Sequence, residues 1–326
     1  MDKKMSRSKM VLILVMVALV VLLVFSAVQI ADSLMNQQEA DEWSHDSSVI
    51  IQDGVRYYPR QDQVVILVAG IDETGPVQNS GSYNNSGEAD MVTLVIFDKK
   101  TEKIDMLALN RDAMVDMPVL GVDGKKAGTA YGQLALAHTY GTGLKDSAEN
   151  LKTTVSNLLY GLDIDYYVTM NMDAIALLND AVGGVTVNVE DDFSQVDASI
   201  GQGSVKLTGQ QAVSFLRSRQ DVGDQLNLSR MKRQEQYMSA FVTELRRCME
   251  QDSNFTSKVF EELDPYMVTS LSSNALLGLV RYYSHYEMGQ MYNLKGENKV
   301  VTEFMEYHLD EKALNQQILK LFYKAK

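Results

Sequence analysis

Met10 to Ile30 is an almost unbroken apolar run of twenty-one residues, and no other stretch narrows the possible architectures as much. At about 1.5 Å rise per residue, a helix of that length spans ~31 Å, the thickness of a bilayer core. Lys3, Lys4, Arg7 and Lys9 precede the run, and Asp32, Glu39, Asp41, Glu42 and Asp46 follow it. Basic residues stay on the cytoplasmic side. The pattern reads as a cytoplasmic tail over 1–9, one transmembrane helix over 10–31, and a body outside the cell membrane. The alternative is a cleaved signal peptide. Its apolar stretch would run about 7–15 residues, and Phe25-Ser26-Ala27 is a poor cleavage site.

The body is acidic. The chain carries a net charge of -13, which argues against a nucleic-acid partner, so any phosphate site must be a local cluster of arginines. With Cys248 as the single cysteine, an intramolecular disulfide framework and a cysteine zinc site are excluded. His45, His138, His285 and His308 are scattered, and no His-Glu-x-x-His occurs, which argues against a zinc hydrolase.

Residues 32–61 are polar and read as a linker or stalk ending near Tyr57-Tyr58-Pro59. Gln63 to Ile71 is a short continuous apolar run, the signature of a strand buried on both faces. Residues 73–88, rich in Gly, Asn and Ser, read as a mobile loop. Further strands are expected over 91–97, 103–109, 166–172 and 185–189. Helices are expected over the alanine-rich 127–140 and over 145–160. Another should run from a cap at Asp173 to Ala181, stopped by Gly183-Gly184. Thr208 with Gln211 fits a capping box opening a helix toward Arg219, and a longer helix should run from 229 to 250 with Tyr237, Phe241, Leu245 and Cys248 as its apolar stripe. Residues 251–326 read as a mostly helical extension of the same domain. The alternation of strands and helices predicts a three-layer α/β/α sandwich with a central mixed sheet, its main body over 62–250.

Chemistry belongs at the strand ends. Asp72 ends the first strand, Asp90 precedes the second, and Arg111 and Asp112 follow the third. Ligands gather at such edges in open α/β sheets. Asp72 and Asp90 could together hold Mg²⁺, or could simply be solvated turn residues. Arg217, Arg219, Arg230 and Arg233 fall within seventeen residues of the chain. Arg230, Arg233 and Gln234 share one helix face. Arg217 and Arg219 converge only if their helix ends near Leu216. Guanidinium forks suit phosphate oxygens; the alternative is a solvated face balanced by Asp221, Asp224 and Glu235.

The residues as a set resemble the LytR-CpsA-Psr family of cell-wall ligases. The matching segments are Ile66-Leu-Val-Ala-Gly-Ile-Asp72, Ala89-Asp90-Met-Val-Thr-Leu, Leu109-Asn-Arg111-Asp112, Ile164-Asp-Tyr-Tyr-Val168, Asp180-Ala-Val-Gly-Gly-Val-Thr-Val187, Leu207-Thr-Gly-Gln-Gln-Ala212, Leu216-Arg-Ser-Arg219 and Arg230-Met-Lys-Arg233-Gln234. They occur in the family's order. The resemblance implies a deep apolar pocket for a polyprenyl tail. It implies transfer of a glycopolymer from a polyprenyl-pyrophosphate carrier to a peptidoglycan hydroxyl, with Mg²⁺ at the pyrophosphate. By motif position, Asp72 and Asp90 would be the metal or base carboxylates, with Arg111 beside them at the reacting centre. Arg111, Arg217, Arg219, Arg230, Arg233 and Gln234 would face the pyrophosphate.

Three segments depart from the family pattern. Glu88-Ala89-Asp90 stands where the family has Arg-Ser-Asp, Asn110 where it has proline, and Asn227 where it has aspartate. The resemblance therefore leaves two rivals to glycopolymer transfer: a non-catalytic polyprenyl-phosphate-binding or regulatory envelope protein, and a pyrophosphatase that releases phosphate to water.

Overall fold

The structure is a computed structural model that describes residues 49–218, 222, 227–283, 286–301 and 304–325. Among these no helix is long and apolar enough to cross a membrane; the run Met10–Ile30 lies outside the described residues, as does the polar stretch that follows it up to residue 48.

The chain begins with a hairpin of β1 (Ile50–Gln52) and β2 (Val55–Pro59). Asp53 and Gly54 both have positive φ, as a tight two-residue turn between right-twisted strands requires. Part of the expected stalk is therefore folded into the domain. Next come β3 (Gln63–Ile71), β4 (Ala89–Asp98) and β5 (Lys103–Leu109), at the expected places. The Gln63–Ile71 run is buried along its length: Val64, Ile66 and Val68 face one layer, and Val65, Leu67 and Ala69 face the other.

The helix expected over 127–140 does not form. Met114–Leu120 (β6) and Lys126–Gln133 (β7) pair as an antiparallel hairpin, and only Leu134–Thr139 is helical, as a 3-10 segment. Gly128 and Gly132 weaken a helix here, while Thr129 and Tyr131 suit a pleated ribbon. Then follow α1 (Lys145–Leu158), β8 (Tyr166–Asn171) and α2 (Met172–Ala181). The cap of α2 is Asn171 rather than Asp173: the Asn171 side chain accepts from the N–H groups of Asp173 and Ala174. Gly183 and Gly184, both at positive φ, stop the helix as expected. β9 (Val185–Val189) and β10 (Gly203–Leu207) form a second antiparallel pair, and α3 (Gly209–Arg217) opens on the Thr208–Gln211 capping box. α4 (Asn227–Gln251) presents Tyr237, Phe241 and Leu245 to the core.

The last part of the chain is not mostly helical. It holds α5 (Phe255–Leu263), β11 (Met267–Thr269), α6 (Ser273–Tyr283), β12 (Glu287–Asn293), β13 (Gly296–Val301), β14 (Phe304–Leu309), α7 (Glu311–Phe322) and β15 (Tyr323–Ala325). Its short strands lack the long alternating runs that announce strands in a sequence. Both edges of the central sheet come from it.

That six-stranded sheet has the order β11-β8-β3-β4-β5-β12 and is mixed: β8 and β3, like β5 and β12, are parallel, whereas β4 and β11 run the other way. On one face lie α2 to α6, through Leu178, Phe215, Phe241, Phe260 and Leu276. On the other lie α1 and α7, through Leu151, Val155, Leu314 and Ile318, together with the 3-10 segment through Leu134 and Ala137. The expected three-layer arrangement is thus present in the described residues.

Candidate functional site

β3, β5, β8 and β12 all point the same way, so their C-terminal ends and the start of β4 share one edge of the sheet. The register pairs Val92 with Leu109 and Ile71 with Ala89, with an irregularity between Gly70 and Ile71. Asp72, Asp90 and Arg111 therefore sit on neighbouring strand ends although they are far apart in the chain. The Asp72 N–H donates to the Glu88 carbonyl at 2.9 Å, which locks the end of β3 to the approach to β4.

Two ion-paired groups form at this edge. Arg217, in the last turn of α3, donates from Nη2 to Asp72 Oδ1 at 2.6 Å. α3 ends there: Ser218 is extended, with φ -64 and ψ 130, close to the helix end that convergence of Arg217 and Arg219 requires. The Arg217 side chain is 54% exposed and that of Asp72 37%. Such a pair contributes about 0–1 kcal/mol, so the guanidinium is cheaply redirected to a ligand. Beside it, Arg111 donates from Nη1 to Asp90 and from Nη2 to Glu88 Oε2 at 2.7 Å, with Asp112 Oδ1 3.5 Å from Nε. Asp112 is held from behind by the Gln133 amide at 3.1 Å.

The loop over 73–88 is pinned rather than free. The Asn85 amide donates to the carbonyls of His138, Thr139 and Gly141 and to Ser147 Oγ, while its Oδ1 accepts from the Gly87 N–H at 2.7 Å. His138 is buried and meets the Gly87 carbonyl at 2.8 Å through Nδ1, which must carry the proton because a carbonyl only accepts. Burial lowers the His138 pKa, outweighing the carbonyl contact and the pull of Glu73 and Asp146. At the other end of the loop, Asp173 accepts from the Gly75 N–H at 2.6 Å, and the Asn171 amide donates to the Gly75 carbonyl. Asn85 and His138 are positioning residues that the sequence left unmarked, and Asp173, expected as a helix cap, holds the loop instead. Their partners lie far away in the chain, so no local pattern signals them.

The arginine series divides. Arg233, counted with the phosphate ligands on sequence grounds, has its guanidinium engaged by protein acceptors. Its side chain is 6% exposed and donates to the Phe215 carbonyl at 3.1 Å, to Asp191 Oδ2 at 2.5 Å and to the Ser218 carbonyl, with its guanidinium carbon 5.3 Å from the Phe193 ring centroid. It ties α4 to the end of α3 and so braces the segment that carries Arg217. Arg219 lies outside the described residues. Arg230 and Gln234 lie on α4, with side chains outside the description.

Among the described residues, no group of three or more His, Cys, Asp or Glu side chains is arranged to hold a metal ion. Asp72 and Asp90 offer two hard oxygen donors. That set fits Mg²⁺ only where phosphate oxygens and water complete the shell.

The sequence model of the LytR_cpsA_psr family matches residues 21–322. A polyisoprenyl-teichoic acid–peptidoglycan teichoic acid transferase, TagU, from Oceanobacillus iheyensis is 31% identical over 189 residues, covering 57% of this chain and 53% of that protein. Biofilm regulatory protein A from Streptococcus mutans is 30% identical over 248 residues, covering 72% of this chain and 57% of that protein. The chain thus spans little more than half the length of these two relatives. Among solved structures, protein gbs0355 from Streptococcus agalactiae superposes with a TM-score of 0.62 at 25% identity, over 79% of this chain and 87% of that one.

Proposed function

The chain belongs to the LytR_cpsA_psr family, and from that premise we propose that it transfers a glycopolymer from a polyprenyl-pyrophosphate carrier to a peptidoglycan hydroxyl, forming a phosphodiester link. The observation that carries the proposal is the meeting of Asp72–Arg217 and Asp90–Arg111, brought from four chain segments, at one edge of the sheet. The teichoic acid transferase activity named for the TagU relative supports it. The protein would act outside the cell membrane, anchored once through Met10–Ile30 with its N-terminus cytoplasmic, as the charge asymmetry around that run supports.

In this reading, the acceptor oxygen attacks the phosphorus that bears the glycan. The bond from that phosphorus to the bridging oxygen breaks, and polyprenyl monophosphate leaves. Arg111 and Arg217 exchange their carboxylate partners for pyrophosphate oxygens and stabilise the charge that builds on the leaving phosphate. Arg219, Arg230 and Gln234 are proposed to complete the grip. Asp72 or Asp90 takes the hydroxyl proton. Bound through Asp72 and Asp90, Mg²⁺ would supply further charge neutralisation at the pyrophosphate.

The deciding experiment incubates the chain with a polyprenyl-pyrophosphate saccharide, peptidoglycan and Mg²⁺, and analyses the phosphorus products. The expected outcome is a phosphodiester, lost in Asp90→Ala while the fold persists. Free phosphate would make the protein a pyrophosphatase. Binding of the lipid with no product would make it a carrier-binding or regulatory protein.

A further inference from the structure

Arg111 is crowded by three acids. It faces the Asp90 and Glu88 carboxylates directly, with Asp112 at 3.5 Å. The three acids are not held alike. Asp112 is bonded to the Gln133 amide, and Asp90 lies within β4. Glu88 stands just before the strand, and its side chain is the most exposed of the three, at 42% against 33% for Asp90 and 28% for Asp112.

The Glu88 backbone has little freedom. Its carbonyl accepts from the Asp72 N–H at 2.9 Å and its N–H donates to the Ser86 carbonyl at 3.0 Å. The preceding Gly87 is gripped by Asn85 and His138, with room for no larger residue: an added Cβ would sit 2.9 Å from Ile71 Cγ2. A fixed backbone beside Arg111 leaves one movable part, the carboxylate, on a side chain with three rotatable bonds.

We propose, resting on the pyrophosphate reading above, that Glu88 is a built-in competitor for the donor: its carboxylate holds Arg111 in the donor-free protein and is displaced by phosphate oxygens. It thereby weakens donor binding without entering the bond-making step. A half-exposed ion pair opposes displacement by about 0–1 kcal/mol, which corresponds to an affinity penalty of up to roughly fivefold. Glu88 would thus set how much donor must accumulate before the site fills.

The test titrates inorganic pyrophosphate, with a chelator present, onto the whole chain in detergent micelles as wild type, Glu88→Gln, Arg111→Ala and the double variant, and measures transfer kinetics on the first two. Glu88→Gln should bind pyrophosphate about three- to fivefold more tightly. The gain should vanish in the Arg111→Ala background, and the donor KM should fall by more than kcat changes. Equal or weaker binding by Glu88→Gln would overturn the proposal. Equal tightening in both backgrounds would also overturn it, since the charge would then act through space rather than on Arg111. Arg111-dependent tightening without any transfer would leave the competitor standing and remove the transfer reading. Transfer with unchanged pyrophosphate affinity would remove the competitor alone.

Discussion

Arg233→Ala offers the sharpest separation between a residue that grips a ligand and one that braces the residue that does. The substitution removes three donated hydrogen bonds at once, to the carbonyls of Phe215 and Ser218 and to Asp191, from a side chain only 6% exposed. Each carbonyl left without a donor costs about 1–3 kcal/mol. Asp191, 22% exposed, regains some water and so recovers part of its loss. The contact over Phe193 adds less. Because these terms share one group they do not sum, and breaking such a buried pair typically costs ~3–5 kcal/mol. For a domain of this size, each kcal/mol moves the melting temperature by about 2–4 °C, giving a fall of ~6–20 °C. Differential scanning fluorimetry in micelles measures it. Arg233→Lys should not rescue, since one ammonium cannot reproduce the guanidinium fork across three acceptors. Well below the new midpoint, pyrophosphate affinity should drop far less than in Arg217→Ala. A melting temperature within about 3 °C of wild type, or full rescue by lysine, would refute the bracing role.

Other consequences are equally direct. Arg217→Ala should weaken pyrophosphate binding at least several-fold yet shift stability by less than ~0.5 kcal/mol, because its pair with Asp72 is exposed; a large loss of stability in thermal unfolding would contradict this. Gly209→Ala would place a Cβ 2.6 Å from the Ala176 carbonyl and from Asp180 Oδ2, where α3 crosses α2, and should cost about 1–3 kcal/mol by denaturant titration; an unchanged midpoint would mean the two helices separate freely. Asp98 is buried, which raises its pKa, but bonds from the Thr101 N–H and from Arg60 outweigh this and hold it below the usual carboxylate range. A depressed carboxyl contributes stability above the unfolded pKa of about 3.9 and loses it as pH falls through the folded value. Asp98→Asn should therefore unfold with a shallower acid dependence below about pH 4 than wild type, and identical slopes would show that the Arg60–Asp98 pair contributes nothing there.

The central strands were legible because a strand buried on both faces must be apolar at every position, as in Gln63–Ile71. The capping box at Thr208 and the glycine stop at 183–184 were equally readable, being local devices with few alternatives. Lys126–Gln133 misled because alanine content favours a helix, whereas pairing with Met114–Leu120 is a tertiary choice that local propensity does not record. At the site, the strand-end rule singled out Asp72, Asp90 and Arg111, and the structure brings Arg217 to Asp72 as well. The burial of Arg233 was not readable, because a shared helix face does not say which way that face turns. Asn85 and His138 carried no signal, since their function is to hold one loop against a segment some fifty residues away.

β15 closes on β2, so Tyr323 to Ala325 lie beside Tyr57 to Pro59. During synthesis the first hairpin gains this neighbour only after every strand of the central sheet has been made. β11 and β12, the sheet's flanks, also arrive late. Folding cannot be finished piecemeal behind the ribosome. Without Glu311–Ala325 the β2 edge would lie open, a seam for proteases to find.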